Sequence, residues 1–336
     1  MPLEHLVSWL SGAFGEPAFR ARQLFSWIHL RGAESFHVMT DLPLALREGL
    51  SANAELTVLG TLERVRGKDG AERFLLGLRD GLVAESVLIP DPPRVTACLS
   101  TQVGCRMGCV FCMTGNVGFR RNLGSDEIVA QLYALRKASP NRISNVVLMG
   151  MGEPLDNLDQ VIPALDIISN DSGICLGQRK ITVSTIGLTR GIARLTELGR
   201  HYGLALSLHS GVQATREMLL PAGASVKLDD LKLGLLEWTK AIGRRVTLEY
   251  CLIEGINDSL REARALAEFA RGLPCKINLL LCNPVKGLPW KRPDDGVVLE
   301  FMEYLYPRCP AVTLRKSRAS DVDGACGQLG ASVLGR

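Results

Sequence analysis

The chain has 336 residues, 46% of them hydrophobic and 22% charged, with 34 glycines spread along it, a composition that excludes disordered, collagen-like and coiled-coil proteins. At about 150 residues per domain the length fits two domains, or one α/β barrel with an appendage. The net charge of +4, from 39 basic and 35 acidic residues, neither argues for a polyanionic partner nor opposes one.

The N-terminal stretch MPLEHLVSWLSGAFGEP lacks the basic segment, apolar block and cleavage site of a signal peptide. No apolar run reaches the roughly 18 residues that span a bilayer, so the chain reads as cytoplasmic with no membrane partner. Residues 1–55 predict a small helical domain, because apolar positions recur at helical spacing through Phe19, Leu24, Phe25 and Ile28, then through Leu42, Leu46 and Leu50. From 56 to 93 the pattern changes to short alternating segments separated by Lys68-Asp69-Gly70 and Asp80-Gly81, which predicts a β-meander extension. Residues 94–336 form the main domain. Strands are expected near 95–101, 144–149, 180–186, 203–209, 245–253 and 276–281, with helices near 125–138, 158–169, 191–200, 228–242 and 259–272. Such βα repeats predict a parallel sheet, open or curled into a partial barrel, with the chemistry beyond the C-terminal strand ends.

The ten cysteines are too many for structural disulfides in a reducing compartment, which turns attention to metal or redox chemistry. Cys105, Cys109 and Cys112 share one loop as CxxxCxxC. Structural zinc needs four ligands and no fourth Cys or His lies nearby in sequence, so a cubane iron–sulfur cluster with one open iron fits better than zinc, the alternative. Taken alone, Cys98 reads as a small core residue, Cys326 as a loop thiol between Gly324 and Gly327, and Glu85 as a solvated strand carboxylate. By the same reasoning, Gly150-Met151-Gly152-Glu153 reads as a tight strand-to-helix turn and His209 as a satisfied core histidine.

With Phe111 before the last cysteine, the loop resembles the hallmark of the radical S-adenosylmethionine (SAM) superfamily. The resemblance then narrows along almost the whole chain: GEPAFRARQLFSWI, ESVLIP, CLSTQVGC, FCMTG, LMGMGEPLDN, SLHS, RRVTLEY, INDS, NPVKG and DVDGACGQL resemble signature blocks of the RlmN/Cfr family of radical-SAM RNA methyltransferases. This implies a fold of the α/β class: a partial (β/α)6 TIM-type barrel with a small N-terminal helical domain and a β-extension. It also implies a [4Fe–4S] cluster on Cys105, Cys109 and Cys112, and SAM bound by Gly152, Glu153, Ser184, Ser207, Leu208, His209 and Asn283. The implied reaction methylates an adenine ring carbon, carbon 2, of 23S rRNA and tRNA. In it Cys326 first carries the methyl group, a deoxyadenosyl radical activates it, and Cys98 resolves the protein–RNA adduct, with Glu85 as acid/base group. A flavodoxin or ferredoxin is the implied electron donor to a monomeric enzyme.

Gly108, Ile186 and Ser210 resemble the carbon-8 (Cfr) branch more than the carbon-2 branch, which makes carbon 8 the alternative. A radical-SAM enzyme with a non-RNA substrate and an RNA-binding factor are the competing classes. The remaining cysteines match no catalytic position, and Cys251 and Cys282, within apolar strands, read as packing. Basic runs at 178–180, 244–245 and 286–292, the last with Trp290, are candidate RNA contacts.

Overall fold

The computed structural model describes residues 1–223 and 226–330. The helical spacing at the N-terminus becomes three helices, Leu3–Phe14, Ala18–His29 and Leu44–Asn53. The first ends at Gly15, whose positive φ of 67° lets its N–H close onto the Leu10 and Ser11 carbonyls. These helices bury Leu10, Leu24, Phe25 and Leu50. They dock on the helix Ser125–Ala138, where Arg136 donates to the His29 carbonyl at 3.0 Å and Tyr133 bonds the His29 ring. Burial drops the His29 pKa to about 3, so this contact is made by a neutral ring.

The meander is not a sheet of its own. Strands β1 (Gly60–Arg66), β2 (Glu72–Gly77), β3 (Val83–Asp91) and β4 (Arg94–Cys98) pair antiparallel. The same sheet then continues in parallel through β5 (Asn145–Leu148), β6 (Ile181–Thr185), β7 (Gly203–Ser207), β8 (Val246–Leu252), β9 (Cys275–Leu281) and β10 (Val312–Arg315). Spatial order follows chain order across all ten strands. Strand β10 and the helix before it, Asp295–Leu305, lie outside the expected elements. At four residues with three exposed, β10 is too short to show an alternating pattern.

Side chains alternate across the parallel strands, and this sets what the sheet offers to each face. In β8, Leu248, Tyr250 and Leu252 are fully buried, whereas Glu249 and Cys251 line a cavity on the other face; Asn278 and Leu280 of β9 do the same. Glu249 pairs with Asn278 in register, and the Asn278 amide donates to its carboxylate at 2.9 Å. The inner face of the sheet is therefore partly polar, and the cavity of about 780 Å³ opens along the C-terminal strand ends.

Candidate active site

Three walls build the cavity. The first is the cysteine loop after β4, where Cys105, Cys109 and Cys112 are half-buried and all line the cavity. Its entry is fixed by Gly104, at φ 74°, where a Cβ would stand 1.7 Å from the Gly118 carbonyl oxygen, so no other residue fits without moving backbone. Gly108 adds a second left-handed residue at φ 65°. The Val110 N–H donates to the Leu219 carbonyl at 3.1 Å, and Trp290 Nε1 donates to the Val110 carbonyl at 2.9 Å. Trp290 thus helps to hold the cysteine loop.

Burial raises the Cys105 thiol to about 12 and pushes Cys109 well above its ordinary value, with the neighbouring thiols adding to both. Thiols raised in this way, Cys105 and Cys109, give up their protons only when a cation takes the protons' place. Among the described residues no group of three or more His, Cys, Asp or Glu side chains is arranged to hold a single metal ion. The three cysteines share one loop and one cavity, and a cluster with one open iron takes three such ligands.

The second wall is the strand-end loops. Gly152, at φ 100°, packs where a Cβ would meet Gln102 at 2.6 Å. Gln102 Oε1 accepts the Glu153 N–H at 2.9 Å. Glu153 itself is 3% exposed, and its carboxylate accepts the N–H groups of Leu155 at 3.0 Å and Ile186 at 2.9 Å. Burial outweighs these donors and raises its pKa to about 7. His209 is buried at φ 57°, its ring edge-on to Phe111 with centroids 4.9 Å apart. Burial holds it neutral, with a pKa near 3. Because Nδ1 accepts the Cys251 N–H at 3.0 Å, the ring proton sits on Nε2. Ser184, Ser207 and Asn283 line the same cavity. Leu208 does not: its side chain is fully buried in the core, and its N–H bonds the Glu249 carbonyl at 3.0 Å. It positions its neighbours by backbone alone.

The third wall carries the remaining cysteines. Cys98, at the end of β4, is 7% exposed and lines the cavity. Burial, then the nearby Cys326 sulfur, raises its thiol to about 12. Cys326 stands at the solvent-facing rim on the C-terminal loop. Burial raises it too, and Arg315 partly offsets this. Its carbonyl accepts from Asn283 Nδ2 at 3.0 Å. Glu85, on β3, is 1% exposed and outside the cavity lining, with Arg73 Nη1 at 3.3 Å and the Gly330 N–H at 2.8 Å on its two oxygens.

Several site groups escaped the sequence reading. Cys251 and Cys282, both free thiols, line the cavity, share a hydrogen bond and pack in one apolar cluster. Arg216, wholly buried on the helix Gln213–Leu219, donates to the Ile186 carbonyl and lies close enough to Cys109 and His209 to affect both electrostatically. Arg94, Lys276, Arg315, Lys316 and Arg318 line the cavity, whereas Arg179, Lys180, Arg244 and Arg245 do not. Arg94 and Lys276 stand singly on β4 and β9, whereas Arg315, Lys316 and Arg318 form a short basic run at the end of β10 that the sequence reading passed over.

Comparison with known proteins agrees with this constellation. Over 98% of its length the chain is 40% identical to the dual-specificity RNA methyltransferase RlmN of Nitratidesulfovibrio vulgaris, covering 93% of that protein. The chain belongs to the RlmN/Cfr family of radical-SAM RNA methyltransferases. The RlmN of Syntrophobacter fumaroxidans is 41% identical over 97% of this chain and 96% of its own. A crystal structure of a radical SAM methyltransferase from Sphaerobacter thermophilus superposes with a TM-score of 0.93 at 39% identity, covering 98% of this chain and 97% of that one. Residues 1–56 match the model of the ribosomal RNA large subunit methyltransferase N-terminal domain, and 99–267 that of the radical SAM superfamily. The RlmN/Cfr cofactors are a [4Fe–4S] cluster and SAM, and the three cavity-facing thiols with the strand-end wall beside them fit both. No helix among the described residues is long and apolar enough to cross a membrane.

Proposed function

We propose that the protein methylates carbon 2 of an adenine in 23S rRNA and tRNA, in the cytoplasm, through a methyl group carried on Cys326. The observation that carries this reading is the pair Cys98 and Cys326, brought to one cavity with the CxxxCxxC loop although 228 positions apart in the chain. An adenine ring carbon is electrophilic, so direct transfer from SAM does not methylate it. A carrier thiol and a radical step solve this difficulty.

Cys105, Cys109 and Cys112 would hold the cluster, which, given an electron by a flavodoxin or ferredoxin, would supply the reductive cleavage of SAM to a deoxyadenosyl radical. Gly152 and Glu153 hold the SAM amino group, Glu153 as the anion. Ser184, Ser207 and Asn283 offer hydrogen bonds to its polar edges, and neutral His209 offers Nε2–H. Leu208 fixes the backbone between the last two strand-end groups. Cys326 Sγ takes the methyl group and presents its carbon to the flipped base. The S-methyl carbon gives up a hydrogen atom to the radical and bonds to the ring carbon, and the adduct then loses the ring proton and one electron, which the cluster would take back. The Cys98 thiolate attacks Cys326 Sγ, the electron pair of the broken sulfur–carbon bond takes up a proton to complete the methyl group, a disulfide forms and methylated RNA leaves. The resemblance makes Glu85 the group that takes the ring proton, and it reaches substrate only after surrendering Arg73 or Gly330.

Arg94, Lys276, Arg315, Lys316 and Arg318 suit the phosphates flanking that base. The chain works as a monomer in this reading. Mass spectrometry of ribosomal and transfer RNA from cells with and without the gene tests it, scoring 2-methyladenosine and 8-methyladenosine separately. Loss of 2-methyladenosine is expected. Loss of 8-methyladenosine instead favours the carbon-8 reading, which the Cfr-like Gly108, Ile186 and Ser210 support. Cys98→Ala is expected to trap a covalent protein–RNA adduct, and no adduct under turnover conditions counts against the carrier-thiol reading.

A further inference from the structure

A carboxylate that is 1% exposed is not there for packing, since burying an ion costs several kcal/mol unless partners replace its water. Glu85 has such partners, and both lead to the Cys326 loop. One oxygen accepts the Gly330 N–H at 2.8 Å; the other meets Arg73 Nη1 at 3.3 Å, while Arg73 Nε donates to the Val322 carbonyl at 2.8 Å. Val322 and Gly330 bracket Cys326, so the two bonds pin the loop on either side of its thiol.

The post is anchored in the sheet. The Glu85 carbonyl accepts from Ser100 Oγ at 2.5 Å, and Ser100 Oγ in turn accepts the Met151 N–H at 2.8 Å, which ties this point of β3 to the strand-end wall. The loop holds two non-glycine residues at left-handed φ, Ala319 at 58° and Asp323 at 54°, a strained course that persists only where surroundings enforce it.

We propose that Glu85 is a positioning residue that latches the Cys326 loop into the cavity mouth, so that the thiol is held where it receives its methyl group. The proposal rests on the reading of Cys326 as methyl carrier. The latch sets loop position before any RNA binds, which separates it from proton transfer on the substrate.

The test uses the full chain as wild type, Glu85→Ala and Glu85→Gln. In the first arm, the cluster-free reduced protein is pulsed with N-ethylmaleimide and the labelled peptides are resolved by mass spectrometry. Alkylation of Cys326 is expected to be about tenfold faster in Glu85→Ala, the factor for losing one buried charge-assisted bond, with Cys98 little changed. Glu85→Gln is expected to fall between, because its amide oxygen still accepts the Gly330 N–H. In the second arm, anaerobic cluster-loaded protein is incubated with SAM alone and S-methyl-Cys326 is followed by intact mass. It is expected to form about tenfold more slowly in Glu85→Ala, with partial rescue in Glu85→Gln.

Equal alkylation rates in all three proteins overturn the latch. So does equal S-methylation accompanied by loss of RNA product in both variants, the pattern of a pure acid/base role. If wild-type protein forms no S-methyl-Cys326, the carrier reading fails while the alkylation arm still decides the latch. If Glu85→Ala does not fold, Glu85→Gln against wild type decides it.

Discussion

The two sides of the cavity are built by different physics. The cysteine loop and strand-end wall rest on packing: glycines at positions where a Cβ would collide with backbone, a fully buried Arg216, and neighbours such as Met107, Leu219, Leu220 and Ile253 closing beneath. The Cys326 loop buries Ala319, Ala325 and Leu329 and adds to them a set of hydrogen bonds and ion pairs. Its Ala319 N–H reaches Asp69 at 3.0 Å, Asp321 accepts the Lys68 N–H at 2.9 Å, and Arg318 meets Asp69 at 3.5 Å. Packed walls resist displacement cooperatively, whereas polar tethers at a surface are each worth about a kcal/mol and exchange readily with water. In the proposed reaction the cofactor side stays fixed, whereas the Cys326 thiol meets cofactor and substrate in turn.

The sharpest way to break that contrast is to remove a cluster ligand. Cys109→Ala is expected to abolish stable iron binding and SAM cleavage, measured by iron content and deoxyadenosine formation, while leaving the folded sheet intact by circular dichroism. Next in size is Gly104→Ala, which forces a Cβ onto the Gly118 carbonyl in a left-handed backbone. It is expected to lower stability by at least ~3 kcal/mol in denaturant titration, a value reserved for core and backbone disruption.

The strand-end wall makes a pH prediction. Glu153 has its pKa raised to about 7 from an ordinary 4.5, so below pH 7 it is mostly neutral and attracts no ammonium group. SAM affinity is therefore expected to tighten as pH rises through about 7, and to weaken toward tenfold per unit below it, with the slope lost in Glu153→Gln. The sign for folding is opposite. A carboxyl with a raised folded pKa favours the native state below its unfolded pKa, and that contribution disappears as pH rises through about 7. Smallest is Asp321→Ala on the tethered side. It is expected to cost ~1 kcal/mol or less, visible as faster amide exchange at residues 318–326 with no shift in global melting. A global loss of stability there would show that the loop is part of the packed body.

What could be read from sequence follows the same division. The cluster ligands are local, three thiols within eight residues, and their spacing carries the chemistry by itself. Most of the expected strands and helices lie close to the observed ones because β5 to β9 and the helices between them are strongly patterned. The expectations for Cys98, Cys326 and Glu85 came only through resemblance, because nothing local in the sequence sets these residues apart from a packed thiol, a loop thiol or a solvated carboxylate. Cys251 packs on an apolar cluster as expected and also lines the cavity. In Thr247-Leu248-Glu249-Tyr250-Cys251-Leu252 the alternate residues Thr247, Glu249 and Cys251 share the face that Glu249 and Cys251 present to the cavity. Arg216 gave no such sign, since an arginine on a short helix looks solvent-exposed until the neighbouring elements close over it.

The sheet runs in strict chain order, yet its ends are joined by tethers spanning 253, 250, 249 and 245 residues. Contacts between such distant parts of a chain carry a large closure entropy, form late and open early. During synthesis from the N-terminus, all three cluster ligands and the strands around them emerge well before residues 318–330 do. For that interval the side of the cavity that residues 318–330 close stays open.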